Sequence, residues 1–142
     1  MTDQTMASVA RRLEERRGDL TLRLAGDLRA ALCAPGRPAP PALPQQHLLA
    51  TAQRFHELVQ AGATLDWSIV PFEYGWTSRV LPSYGVSLDH QHTLIDCYFS
   101  AIEGLETWPE DERLALEQLR TRIHASADEA YERPTGLTRL LI

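Results

Sequence analysis

Apolar residues recur along this chain at helical rather than strand spacing. In the first segment Val9, Leu13, Leu20, Leu24, Leu28 and Leu32 stand four or seven residues apart, which draws one stripe along a helix over about residues 6–33. Gly18 lies inside that span, as a point where it can break. Over residues 34–44 the pattern stops. The run Ala34-Pro-Gly-Arg-Pro-Ala-Pro-Pro-Ala-Leu-Pro44 cannot be regular, because each proline removes a donor and pushes the residue before it out of α space. A stiff connector within one domain is expected, since the chain before it is too short to bury a core alone.

A second helix is predicted from Gln45, with Leu48, Ala52, Phe55, Leu58 and Val59 on one side and Gly62 at its C′ position. Asp66 reads as the cap of a third segment, where Trp67, Val70, Tyr74 and Leu81 share one face and Phe72, Trp76 and Val80 another. A helix apolar on two faces is expected at the centre of the molecule. Pro71 is tolerable in its first turns, and Pro82 and Gly85 end it. Ser87 caps a fourth helix bearing Leu88, His92, Ile95, Phe99 and Ile102, with a second stripe of Leu94, Tyr98, Ala101 and Leu105. Pro109 followed by Glu110, Asp111 and Glu112 starts a fifth, which runs to about Tyr131 before Pro134 and Gly136. The tail at 137–142, Leu-Thr-Arg-Leu-Leu-Ile, is mostly apolar and is expected to dock on a surface of this chain or of a partner. The pattern predicts an all-α protein with residues 1–142 in a single domain.

The 142 residues, 44% of them hydrophobic, suffice for one sizeable core without metals or disulfides. The formal net charge of −5 argues against a nucleic-acid or anionic-membrane surface. Arg11, Arg12, Arg16 and Arg17 cluster, but Glu14 and Glu15 share their helix, so a solvated, salt-bridged face is expected. Cys33 and Cys97 form no CxxC or zinc pattern, and Cys97 reads as a buried, inert thiol. The opening Met-Thr-Asp-Gln-Thr-Met-Ala-Ser has no signal-peptide core and no stretch is long enough to span a membrane, so a cytoplasmic protein is expected.

Candidate chemistry is sparse. The glycines are scattered, with no phosphate loop and no GxSxG or Cys-His nucleophile pattern, so catalysis is not expected. His90 and His92 are two apart on a helix and point about 200° away from each other, so they cannot chelate one ion together. His92 falls on the apolar stripe and reads as a hydrogen-bonded core histidine, or as a ligand only if haem is bound, while His90 reads as outward-facing. His124 and Asp128 have i,i+4 spacing and read as a surface pair, too few groups for a metal site. His47 and His56 stand too far from other ligand types to interpret. Glu73, between Phe72 and Tyr74, is the one carboxylate expected to be buried, paired with Arg79 or a neighbour. Trp67, Tyr74, Trp76, His92 and Phe99 coincide on buried stripes of the third and fourth helices and are expected to line an apolar pocket between them.

Arg-Arg-Leu-Glu-Glu-Arg-Arg-Gly-Asp-Leu-Thr-Leu-Arg-Leu at 11–24, the tryptophan-bearing third segment, and Tyr84-Gly-Val-Ser-Leu-Asp89 leading into a long apolar helix together resemble the non-haem globin sensor domains of the RsbR stressosome family. The resemblance spans about residues 6–132. It implies a globin-like domain of about five to seven helices, the alternative being an antiparallel helical bundle. It further implies a sensory or signal-transduction role without catalysis, a homodimer, and no cofactor. Haem-binding members carry a proximal histidine before this corner, and the run Ser78-Arg-Val-Leu-Pro-Ser-Tyr-Gly85 offers none. Three functional expectations follow: a sensor binding an apolar small ligand, a haem-binding globin, and a helical module that binds a separate regulatory protein without a small ligand.

Overall fold

The computed structural model describes residues 3–34, 36 and 45–132. Within them lie six α-helices and one 3₁₀ turn: α1 (Asp3–Glu15), α2 (Arg17–Leu32), α3 (Gln45–Thr64), α4 (Ile69–Val80), the turn Leu81–Tyr84, α5 (Leu88–Leu105) and α6 (Glu110–Glu132). No strand occurs among the described residues, so the all-α expectation holds. Most of the predicted connector and all of the tail at 137–142 lie outside them.

The predicted first helix is two helices. The interruption falls at Arg16, where φ is −102° and ψ 12°, rather than at Gly18. The two halves meet different partners: α1 packs on α3 and α6, and α2 packs on α3 and α5. The bend at Arg16 lets one continuous stripe serve both. Leu20 and Leu24 of α2 and Ile95, Tyr98 and Ile102 of α5 are fully buried and form the middle of the core. Each contributes on the order of 1.5–3 kcal/mol by leaving water.

Glycine decides how α3 meets α4. The helix α3 runs through Gly62 to Thr64, so Gly62 is not the predicted C′ residue. It is buried against α4, and a Cβ built there would stand 2.5 Å from Cγ2 of Val70 and 3.5 Å from the Trp67 ring. Only a residue without a side chain leaves room there for the Val70 methyl.

The helix α4 is peripheral rather than central. Val70 and Tyr74 are buried, but Phe72 is 78% exposed and Trp76 45%. Phe72, on the second apolar face predicted for this segment, therefore looks outward. Ser87 caps α5 as expected. Its hydroxyl accepts from the His90 N–H at 3.4 Å, and its own N–H donates to Nδ1 of His90 at 2.9 Å, closing a capping box. Gly85, at φ 82°, makes the left-handed step between the 3₁₀ turn and this cap.

Candidate functional site: an apolar cavity and a histidine relay

The stripes of α2, α3 and α5 do not close completely on one another. Leu28 and Leu32, Leu48 and Phe55, and Leu94 face a cavity of about 580 Å³, which Tyr74 and Trp76 of α4 close from the side. The size falls in the range of small-molecule sites, and the walls are overwhelmingly apolar. Polar groups gather at its edge. Arg54 of α3 donates to Glu73 of α4 at 2.9 Å, and the His47 and His90 side chains also border the space. Glu73 thus pairs with Arg54 and not with Arg79, and His90, expected to face outward, is partly buried on the cavity wall.

Tyr74 is 2% exposed, lines this cavity, and its hydroxyl is buried without a hydrogen-bond partner. Burial, reinforced by Tyr131 and Glu73 nearby, pushes the phenol well above its ordinary range, so it stays a neutral donor. An unpaired buried hydroxyl costs about 1–3 kcal/mol.

Of the five residues expected to line a pocket, Tyr74 and Trp76 do so. The other three are placed elsewhere. Phe99 is 3% exposed in the core, edge-on to Tyr98 with ring centroids 5.3 Å apart. Trp67 lies under the Arg122 guanidinium at 3.9 Å, beside a separate, polar recess of about 500 Å³. His92 points to α6. The histidines that border the apolar cavity are His47 and His90, not His92. The pocket was expected between α4 and α5, but α2 and α3 supply much of its wall. Their leucines carry the ordinary signature of a core stripe, and nothing local tells a leucine facing a leucine from one facing a void.

His92 and His124 were read separately, one as core and one as surface. The structure joins them. The helices α5 and α6 run antiparallel, so His92 stands opposite Asp128 and Asp96 opposite His124. Nε2 of His92 lies 2.6 Å from Asp128 Oδ1, and Nε2 of His124 lies 2.8 Å from Asp96 Oδ1. The two Nδ1 atoms are 2.5 Å apart, and Arg120 donates to Asp96 at 2.6 Å. Burial works against the Asp96 charge, but Arg120 and His124 outweigh it and hold the carboxyl below its ordinary range. The four donors form a chain and do not converge on one point, and no group of three or more metal-ligating side chains occurs among the described residues.

Two further polar anchors escaped the sequence pattern. His56 is fully buried, with Nδ1 3.0 Å from the Tyr98 hydroxyl and Nε2 2.9 Å from Glu14. Glu112, 7% exposed, takes Ser8 Oγ at 2.8 Å and Arg12 at 2.5 Å, tying α1 to the start of α6. Arg12 also reaches Glu106 at 3.0 Å and lies over Trp108. The arginine cluster is therefore divided: Arg11 is exposed, while Arg12 turns inward. Cys97 is partly buried and Cys33 exposed.

Fold and site together define an all-α protein with a preformed apolar cavity and an interhelical histidine relay. No helix among the described residues is long and apolar enough to cross a membrane. Comparison of the chain with family models, with characterised proteins and with solved structures gives no match.

Proposed function

We propose that this chain is a regulatory or sensory helical protein, of the globin-like kind that its sequence resembles. In this reading it holds a small, largely apolar molecule in the cavity between α2, α3, α4 and α5 and performs no chemistry on it. The observation that carries the reading is an apolar-walled space of about 580 Å³. Apolar walls left open to water forfeit the burial and dispersion contacts that an apolar ligand restores.

Anilinonaphthalene sulfonate, an amphipathic fluorescent probe, tests the cavity. Ala50 and Thr77 line it yet are not core residues, so Ala50→Trp and Thr77→Trp fill the space in a folded protein. Each is expected to weaken probe binding at least tenfold. Unchanged affinity in both variants would show that the probe binds elsewhere and remove the basis for the reading.

A second reading, a homodimer or a docked regulatory protein, is favoured by one feature. Phe72 and Trp76 are exposed one turn apart on α4, and Tyr84 just beyond them is 72% exposed. A row of exposed aromatic rings is the composition of an interface centre. If α4 is the contact, Phe72→Asp shifts the sedimentation coefficient to that of a monomer, and an unaltered dimer places the interface on another face.

A further inference from the structure

The relay between α5 and α6 has a proton arithmetic that the rest of the fold does not need. Each Nε2 faces a carboxylate, Asp128 for His92 and Asp96 for His124. A carboxylate only accepts, so both Nε2 atoms carry hydrogen. That leaves the two Nδ1 atoms facing each other at 2.5 Å. The ring centroids are 4.7 Å apart and the planes 27° from parallel. The centroid separation exceeds the nitrogen gap by only about two ring radii, so the nitrogens lie on the line joining the rings and meet head-on in the way a hydrogen bond requires. With no hydrogen between them, two lone pairs collide. With two, an N–H meets an N–H. One shared hydrogen satisfies both rings. A zinc-like ion does not fit the same place, because metal–nitrogen bonds of about 2.0–2.1 Å hold two ligating nitrogens farther apart than this.

We propose that His92 and His124 form a one-proton clasp, in which a single proton shared between their Nδ1 atoms fastens α5 to α6 and its gain or loss releases them. The groups facing the pair are Asp128, Asp96 and, behind Asp96, Arg120. All belong to α5 and α6. Among the described residues, Ser8 and Arg12 of α1 meet α6 at Glu112, away from the pair, and the Glu73 carboxylate of α4 pairs with Arg54 of α3. With one extra proton on the rings the cluster carries charges of +1 on the pair, +1 on Arg120 and −1 on each carboxylate, so it balances. The clasped rings are 29% and 23% exposed, which leaves them open to exchange protons with solvent. The same turns of α5 place His90, Gln91 and Leu94 on the cavity wall, and Gln91 donates to the Tyr131 hydroxyl of α6 at 3.3 Å. Release of the clasp therefore loosens the end of α6 that braces that wall. The clasp stands whether or not the cavity holds a ligand.

The clasp holds with one shared proton and not with none or two. Stability from the clasp is consequently lost on both sides: as pH rises and the shared proton leaves, and as pH falls and a second one arrives. Free imidazole titrates near pH ~6.5, so the scan runs to both sides of that value. The test is the thermal midpoint of the full chain from pH 5 to 8.5, in the wild type and in His124→Asn, whose amide faces His92 without titrating. The wild-type advantage over this variant is expected to peak inside the range and to fall by about 4 °C or more at each end. An advantage that is flat or runs in one direction overturns the proposal. Nitrogen NMR of the wild-type histidines gives a check that needs no variant. Two coupled steps for the two rings support the clasp, and two independent single-site titrations overturn it.

Discussion

Single side chains in this protein carry consequences out of proportion to their exposure. Tyr74 holds a buried, unpaired hydroxyl, so Tyr74→Phe raises the stability of the protein by about 1 kcal/mol, by deleting an unsatisfied group. Calorimetry checks this, and a loss of stability would mean that the hydroxyl is already satisfied. Tyr98 presents the contrasting case, a hydroxyl that is paired. Tyr98→Phe leaves Nδ1 of the fully buried His56 without a partner and is expected to cost about 1–3 kcal/mol in urea unfolding. On the other side of that histidine, the His56 hydrogen bond, joined by Arg17, holds the Glu14 carboxyl below its ordinary range against the opposing effect of burial. A depressed carboxyl stabilises the fold above the unfolded value near pH ~4.3, and that contribution is lost as acid protonates it. Glu14→Gln should flatten the acid limb of the stability curve, and an acid limb identical to that of the wild type would show that other carboxylates set it.

At the level of the element, the glycines separate helix propensity from helix packing. Gly62 lies under Val70, where an added Cβ would stand at 2.5 Å. Gly62→Ala must push α3 from α4 or twist Val70, at about 1–3 kcal/mol of stability. Gly26 sits in α2 with open space where its Cβ would go, so Gly26→Ala should add about 0.5–1 kcal/mol. Thermal unfolding of the two variants should move in opposite directions. Movement in the same direction would mean that the contact between α3 and α4 yields without cost. The helical periods themselves, the Ser87 cap and the Pro109 start were legible in the sequence, because each is a local rule. The bend at Arg16 was not. It answers to which helices α1 and α2 pack against, and no residue at that point forces it.

Over the whole molecule, partial closure and pairing across α5 and α6 produce the two candidate sites. Leu28, Leu32, Leu48 and Phe55 were legible as apolar stripes, yet whether a stripe meets another stripe or a void depends on how four helices converge. The relay is a product of register. His92 to Asp96 and His124 to Asp128 are each four apart on their own helix, yet the sequence marks only the second as a pair and places His92 on a core stripe. Antiparallel packing crosses them, so that each histidine meets the carboxylate of the other helix.

The amino-acid order by itself determined the all-α class, the approximate helix spans, several caps and most of the buried stripes. These follow from spacing and from the chemistry of residues near one another along the chain. Tertiary structure alone decided that α4 lies at the edge, that Trp67, His92 and Phe99 lie away from the cavity, and that His56 and Glu112 are buried anchors. His92, His56 and Glu112 meet partners between 32 and 104 residues away, and a helical period records which face of a helix is apolar without recording what that face will meet.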